Sequence, residues 1–403
     1  MGDRYAPGLD SLLNQDPCRC LSDGIRRRND SPCANGSGER RLDGPLNGSH
    51  DGEPTAGIGE THRGRQLARF IAILSLIAAA VTATIEDSLQ TGFATTSEVE
   101  ALRQSEAAQA TAIYWLSTRY LSQRGLEIVS DTDLAASQSR GVLSAPILGR
   151  AYIALDDRPY RDGNSEIRLQ DARGLVNINA TNGGFWSGLL ARLGVAPEDR
   201  DPMVAKLHDY IDPSPLKTLN GAKQPDYEAA GRSGPRGAIL VTPWELDRVL
   251  DWDRLDGAGF GTNPLFESAT TASVAGFNFN TAPALVISAL TGLEDAAVSR
   301  IIASRTSEPF TNISQVALAS GADSVPNALF VPRFLPADSL RIAVSAPNTA
   351  LERIVALQLT PRAEDRPWQV DYSLDLPAFP DHRIEPNAAA PDFPDPTHLS
   401  TQD

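Results

Sequence analysis

One apolar run near the start of the chain limits its possible folds more than any other feature. Phe70 to Ile85 is an apolar stretch of 16 residues, and counting from Leu67 lengthens it to 19. A helix that spans a bilayer needs about 20 such residues, and an arginine at its edge can reach the headgroups. Cationic residues precede the run and acidic ones follow it: Arg63, Arg65, Arg69, Glu86 and Asp87.

This charge asymmetry predicts the orientation of the span. Positive flanks face the cytoplasm, so residues 1–66 are expected inside it and the chain after about residue 87 outside it. The alternative is a cleaved secretory signal. The position of the run, and the lack of a small-x-small cleavage site after it, favour a retained single-pass helix.

A second helical pattern follows closely. Ser97 and Glu100 form a capping-box sequence, and Ile113, Leu116 and Tyr120 recur at helical spacing. We interpret Gly92 as a break or bend between the two helices, and Gly125 as the end of the second. The sequence therefore predicts a membrane helix that leads into an amphipathic stalk helix.

The composition argues against nucleic acid as a partner. The chain has 403 residues and a formal net charge of -15. Residues 1–66 contribute little to that charge, with nine arginines against ten acidic residues. The remaining body is therefore acidic, and an acidic surface repels phosphate backbones.

Candidates for catalysis or for a metal centre are sparse. The three cysteines lie at Cys18, Cys20 and Cys33, and no second pair or neighbouring histidine stands at zinc-ligand spacing. The five histidines are scattered, and no nucleophile elbow or phosphate-binding glycine loop is present. We therefore predict no enzymatic activity and no catalytic residues.

The rest of the chain divides by pattern. Strand-like runs cover "RAYIAL", "SEIRLQD" and "GLVNINA", helical stretches lie near 183–211 and 242–253, and strand alternation returns at 339–374. Both ends of the chain have compositions typical of disorder. The predicted segments are a disordered extension (1–63), a membrane helix (64–92), a stalk helix with first strands (93–180), a helical insert (181–335), returning strands (336–374) and a disordered tail (375–403).

Two segments about 100 residues apart share one plan. Asn177 and Asn179 flank Ile178, as Asn278 and Asn280 flank Phe279. In each copy a helix, a glycine turn (Gly194 or Gly292) and a second helix follow. Alternation predicts that the apolar residue is buried, while the asparagines bond nearby loop backbone. We interpret the segments as a structural repeat of helix-hairpin-helix type, although helical hairpins are common enough for a coincidence.

The order of these parts resembles the general secretion pathway protein K family, the large minor pseudopilins of bacterial type II secretion. The quoted matches are "DARGLVNINA", "YIDPSP…NGAKQPDY" and "FNFNTAPALVISALTGLEDAAVSRIIASR…PFTNISQV", within residues 64–375. The resemblance implies an α+β fold: an N-terminal membrane and stalk helix, an antiparallel sheet head, and a large α-helical insert. It also implies a place at the tip of the periplasmic pseudopilus, in the inner membrane, with other minor pseudopilins as partners.

The resemblance further implies processing by prepilin peptidase, best matched after Gly64, with Arg65 as the new N-terminus. Family members usually carry an apolar residue there, so Arg65 departs from the pattern. The fifth mature position would be Arg69, where ordinary pilins carry a glutamate that offsets a neighbour's terminal ammonium. A cation at this position fits a subunit at the tip of the filament, which does not have to join beneath a subunit already in place. Arg69 fits equally well as an arginine that anchors the helix at the membrane surface.

The family also shows an acidic calcium-binding loop, matched here by "DPSPLKTLNGAKQPDY". If an ion binds, Asp212 and Asp226 are the candidate ligands. Ser214, Lys223 and Gln224 stand where acids are expected, and calcium requires six to eight oxygen ligands. The alternative is a structural loop rich in proline and glycine.

The sequence of the hairpin turns distinguishes a DNA-binding function from a function without nucleic acid. Hairpins that bind DNA present glycine-rich turns whose amides meet phosphate. Here Gly292 is followed by Glu294 and Asp295, and the first copy, "LGVAPEDRD", is equally acidic. We therefore predict a non-enzymatic secretion subunit without nucleic acid. The alternative is a membrane-anchored DNA-uptake protein built on these hairpins.

Overall fold

A computed structural model of the chain describes residues 58–130, 135, 151–180, 183–255, 264–326, 330–346, 351–377 and 390–395. Of the extension predicted as disordered, residues 1–63, the part up to residue 57, which includes Cys18, Cys20 and Cys33, lies outside the described residues. Residues 58–63 belong to a helix, so the predicted boundary at residue 63 is wrong. Contacts divide the chain into two units, Met1–Ser75 and Leu76–Asp403. The first unit, where described, consists of one helix.

That helix, α1 (Ile58–Thr118), is the longest element and continues through the second unit. By length and composition it is the one helix among the described residues that could cross a membrane. The predicted break at Gly92 and the new helix start at Ser97 are wrong, because the helix is continuous there. The prediction that it continues to Gly125 is also wrong. Gly125 instead begins a strand with a φ of 133°, a conformation that only glycine readily adopts.

The other helices of the described residues lie between the strands before and after the insert. They are α2 (Gly183–Arg192), α3 (Pro197–Ile211), α4 (Gln224–Ala229), α5 (Pro264–Ser268), α6 (Ala284–Thr291), α7 (Asp295–Ser307) and α8 (Ile313–Ser320). The helical stretch predicted near 242–253 consists of two short 3-10 helices, Pro243–Arg248 and Trp252–Leu255. Leu250 and Asp251 separate them, and Asp251 has a φ of 71°, which an α-helix cannot contain.

The described strands fall into one large sheet and smaller pairs. They are β1 (Leu121–Ser122), β2 (Gly125–Ile128), β3 (Ala151–Ile153), β4 (Asp156–Asp162), β5 (Ser165–Asp171), β6 (Val176–Asn177), β7 (Ala269–Thr270), β8 (Phe277–Asn278), β9 (Pro332–Arg333), β10 (Ser339–Ser345), β11 (Leu351–Leu359) and β12 (Trp368–Pro377). Strands β1, β2 and β3 form a small antiparallel sheet. The pairs β6–β7 and β8–β9 are parallel and two residues long.

The main sheet has the order β12-β11-β10-β5-β4 and is antiparallel throughout. Its central strands, β5 and β10, flank the insert in sequence and pair with Leu340 opposite Asp171. The two ends of the insert are therefore held together at one point of the sheet. The α+β architecture predicted from sequence, a long N-terminal helix with an antiparallel sheet and a helical insert, is confirmed.

The sheet packs on a different partner with each face. Alternate residues such as Ile167 and Ile342 are fully buried in a cluster with Trp115 and Leu116 of α1. The opposite face, which includes Tyr372, packs on the insert. Period-two alternation therefore builds two cores, one on each side of a single sheet.

Strand β4 is an element that the sequence reading missed. Its sequence "DDRPYRD" contains a proline and five charged residues, a composition that disfavours strands. The strand lies at the edge of the sheet, where Pro159 needs to donate no ladder hydrogen bond. Tyr160 is nevertheless buried, and its hydroxyl accepts a hydrogen bond from the amide of Ala154 at 2.7 Å.

The assignment of the whole C-terminal tail to disorder is also wrong. Residues 390–395 lie against the edge of the sheet, where the Phe393 amide donates to the Arg161 carbonyl at 2.6 Å. The Phe393 side chain is buried and meets the Tyr160 ring edge-on at 6.0 Å. The indole of Trp115 donates to the Pro394 carbonyl at 2.8 Å. One buried aromatic ring thus orders a segment whose average composition is typical of disorder.

Candidate functional site: two helical hairpins and the loop between them

The first hairpin consists of α2 and α3, entered from strand β6. The Asn177 side chain accepts a hydrogen bond from the Asn179 amide at 2.9 Å, which fixes the turn into the helix. The Asn179 side chain then pairs with both backbone groups of Leu240, accepting from its amide at 2.8 Å and donating to its carbonyl at 3.0 Å. Between them, Ile178 is fully buried, as alternation predicts.

The second hairpin, α6 and α7, repeats each of these contacts. The Asn278 side chain accepts from the Asn280 amide at 3.0 Å. The Asn280 side chain accepts from the Phe310 amide at 2.8 Å and donates to its carbonyl at 2.9 Å. Phe279 is fully buried. Two copies that share the same side-chain bonds are hard to explain by coincidence, and this supports the interpretation of a structural repeat.

The two hairpins pack on each other through their first helices, α2 and α6. Gly188 makes this approach possible, because a Cβ at that position would lie 2.8 Å from the Ala289 carbonyl oxygen. The hairpins thus form one packed unit. The designation helix-hairpin-helix for them stays a prediction.

The paired hydrogen bonds from Asn179 to Leu240 and from Asn280 to Phe310, here called the asparagine clamps, should contribute measurably to stability. We expect Asn280→Ala to lower the free energy of unfolding by about 2–3 kcal/mol, because it leaves buried backbone groups of Phe310 unpaired. Asn179→Ala should cost less, about 1–2 kcal/mol, because Asn179 is only half-buried and water can replace it. Chemical denaturation of the purified chain measures both. The exposed Asn164→Ala is the control and should change stability by less than about 0.5 kcal/mol; equal losses in all three variants would contradict the clamp.

The hairpin turns use their polar groups internally. Gly292 adopts a left-handed φ of 69°, and its amide donates to the Ser288 carbonyl at 2.9 Å. The Leu293 amide donates to the Thr291 hydroxyl at 3.2 Å. The Leu293 carbonyl accepts from Arg192 at 3.0 Å. These two amides are therefore not free to bind a phosphate.

The arginines of the second hairpin are also occupied. Arg305 is buried and donates to the carbonyls of Phe279 at 2.9 Å and Ala282 at 2.6 Å. Arg300 donates to the Ser320 carbonyl. Burial keeps the Arg305 side chain away from a phosphate, whereas Arg300 uses one of its five N–H donors on the Ser320 carbonyl. Within the described part of the chain, this hairpin offers packing contacts rather than an anion site.

The loop between α3 and α4 holds both candidate calcium ligands. One carboxylate oxygen of Asp226 accepts a hydrogen bond from the Lys217 ammonium at 2.6 Å, and the other accepts one from the Lys223 amide at 2.9 Å. The hydrogen bond from Lys217 lowers the pKa of Asp226 below its ordinary value. Asp212 accepts from the Ser214 amide at 3.1 Å.

Tyr227, the last residue of the quoted loop segment, belongs to the core. It is fully buried, and burial raises its pKa to about 12. Its hydroxyl accepts a hydrogen bond from the Leu250 amide at 3.2 Å. Tyr227 therefore anchors the loop to the core, and its hydroxyl is bound to the backbone rather than to an ion.

The arrangement provides no metal cage among the residues that the structure describes. Within them, no three or more His, Cys, Asp or Glu side chains are grouped so that they could hold a metal ion. The predicted processing residues, Gly64 and Arg65, lie exposed on α1. The sequence identifies Lys223 only as a departure from the acidic loop pattern and does not predict its burial. It gives no indication that Asp171 is buried where the sheet meets the insert.

One comparison with known proteins matches the part of the chain that contains the second hairpin. Residues 277–332 match the family model described as type II secretion system (T2SS), protein K. The match confirms the resemblance to the protein K family over β8, the hairpin, α8 and the start of β9. No curated protein matches the chain in sequence.

The matches among solved structures include a chain of a secretion complex. A chain in the GspK-GspI-GspJ complex of the type 2 secretion system of enterotoxigenic Escherichia coli aligns with a TM-score of 0.43 and 14% identity. The alignment covers 70% of this chain and 98% of that chain.

Proposed function

We propose that this chain, whose residues 277–332 match type II secretion system protein K, is a non-enzymatic minor pseudopilin at the tip of the secretion pseudopilus. That match carries the proposal, because it covers the hairpin that also supplies the Asn280 clamp and packs on its repeat. In this role the head acts by docking against sister subunits during protein export across the outer membrane.

The helix α1 supports a membrane-anchored subunit. Every residue of its apolar part, from Leu67 to Ile85, is exposed, as expected of a segment that contacts lipid or neighbouring helices. Arginines before this part and acids after it favour a cytoplasmic N-terminus and a periplasmic head. We therefore place the protein in the inner membrane as a single-pass subunit.

The proposed partners follow from the family. Other minor pseudopilins would form the tip complex, and prepilin peptidase would cut between Gly64 and Arg65. Counted from Arg65, Arg69 is the fifth mature residue, and a cation there repels a neighbour's terminal ammonium. That repulsion favours a subunit at the end of the filament rather than within it.

The secretion role is tested by deletion and complementation in the source bacterium. Loss of the gene should leave exported proteins in the periplasm, and the intact chain should restore their release. A chain in which Ile77 and Ala80 are both replaced by Asp should fail, because each buried charge costs roughly 3 kcal/mol at the centre of a spanning helix. Normal secretion without the gene, with DNA uptake lost instead, would contradict the proposal.

Processing is tested separately by the mass of the mature chain. Protein purified from the membrane should lack residues 1–64 and begin at Arg65. The variant Gly64→Leu should keep its full length, since the peptidase cuts after glycine in this family. A wild-type chain that retains its first 64 residues would contradict processing and would leave the docking role intact.

A further inference from the structure

A buried ammonium group lies in the loop between α3 and α4. Lys223 is only 6% exposed, and its Nζ donates to the carbonyls of Asp209 at 2.8 Å and Asp212 at 2.9 Å. The Asp212 carboxylate lies 3.9 Å from the same nitrogen. Asp209 belongs to the last turn of α3 and Asp212 is its C-cap. The ammonium therefore binds the negative end of a helix, where a cation is stabilised.

The acidic groups of the same loop are committed to the protein itself. Both oxygens of Asp226 accept hydrogen bonds, one from the Lys217 ammonium and one from the Lys223 amide. The buried Asp209 carboxylate accepts from the Thr218 amide at 3.1 Å. A calcium ion requires six to eight oxygen ligands with several carboxylates, and it would meet two lysine ammonium groups in this loop. The residues present do not fit the calcium site that the family resemblance implies.

We infer that the ammonium of Lys223 takes the place of a divalent cation and closes this loop without any metal. Its three donors suit a nest of carbonyl and carboxylate oxygens of the kind that calcium also selects. Because the ammonium is covalently attached, closure does not depend on the calcium concentration outside the cytoplasm. Lys223 is also the N-cap of α4, and its amide donates to the Asp226 carboxylate, so one residue joins the end of α3 to the start of α4.

The loop that is closed in this way carries two strongly exposed leucines. Leu216 is 76% exposed and Leu219 is 87% exposed, between the capped end of α3 and Lys223. Gly221 lies so close to Asp209 that an added Cβ would collide with its carboxylate at 1.9 Å. The internal ammonium and this tight contact hold the loop in one shape.

The first test is the thermal unfolding of the full chain in detergent, with millimolar calcium chloride, magnesium chloride or the chelator EGTA. We expect the same midpoint, within about 1 °C, in all three conditions, because no bound ion contributes to the folded state. A midpoint that rises in calcium alone and falls in EGTA would overturn the inference. The readout is stability and not secretion, so this result and the secretion role can fail separately.

The second test changes the charge at the site. Lys223→Met should lower the midpoint by roughly 5 °C with no response to calcium, because it removes charge-assisted hydrogen bonds and leaves carbonyls unpaired. Lys223→Glu should be similarly destabilised without calcium, and calcium should restore part of the loss. Lys217→Met is the control, since its ammonium is half-exposed, and it should shift the midpoint by less than about 2 °C. A stable Lys223→Met variant, or a Lys223→Glu variant without any calcium response, would overturn the inference.

Discussion

The variant Arg168→Met is expected to lose about 3–5 kcal/mol of the free energy of unfolding, because it strands buried carboxylates. Arg168 lies on the sheet face under the insert and is only 12% exposed. It contacts Asp157 at 3.2 Å, Glu166 at 3.8 Å, and Glu352 in a close ion pair. Methionine keeps most of the volume and removes the charge. Arg341 remains 3.8 Å from Asp157, so the measured loss reports chiefly the lost ion pair with buried Glu352.

A matched arginine on the same sheet provides the control. Arg353 pairs with Asp375 at 2.8 Å, and the Asp375 side chain is 45% exposed. Exposed pairs contribute between zero and about 1 kcal/mol, so Arg353→Met should stay within that limit. Chemical denaturation of both variants measures the difference. Equal small losses would contradict the claim that the ionic contacts under the insert are essential for stability.

The second large effect is expected for Asp171→Ala, at about 3 kcal/mol or more, because several buried donors lose their acceptor at once. Asp171 is fully buried at the end of β5. One carboxylate oxygen accepts from the Asn278 amide group at 3.0 Å and the Thr281 hydroxyl at 2.8 Å. The other accepts from the Ala337 amide at 2.8 Å and the Arg173 amide at 3.0 Å.

These four hydrogen bonds stabilise the buried Asp171 carboxylate. Burial raises the pKa of Asp171, while the hydrogen bonds from Ala337, Arg173, Asn278 and Thr281 oppose that rise. They join the sheet to the start of the second hairpin and to the segment that returns to β10. The control is Thr281→Val, which removes one donor and keeps the acceptor, and should cost about 1 kcal/mol. If Thr281→Val were as damaging as Asp171→Ala, packing rather than the shared carboxylate would join the two parts.

The local elements were predictable from the sequence because their signals are periodic. Alternation along "SLRIAVS" and "LERIVALQL" corresponds to β10 and β11, and the helical runs of both hairpins correspond to α2, α3, α6 and α7. Strand β4 is not predictable from the sequence because Tyr160 is its one buried residue. The rest of the segment is charged and contains Pro159, so it shows no apolar alternation. Gly92 was misread because a helix tolerates an isolated glycine at a cost of about 1 kcal/mol.

The site was predictable only where a pattern repeats. Asn179 and Asn280 were identifiable because two copies show the same alternation, and both make the backbone clamps expected of them. Lys223 and Asp171 carry no such signal. The fold brings their partners to them from distant parts of the sequence. Asp171 and Asn278, for example, are 107 residues apart in the chain, and a single sequence does not reveal such a long-range contact.

The most direct test of the account is whether the full chain, purified in detergent, assembles with the other pseudopilin-like proteins of the same bacterium. Light scattering would give the mass of the mixture, and a parallel titration would add duplex DNA at moderate salt. We expect a defined complex with sister pseudopilins and no salt-sensitive binding of DNA. A chain that stays alone in every such mixture, yet binds duplex DNA, would contradict this expectation.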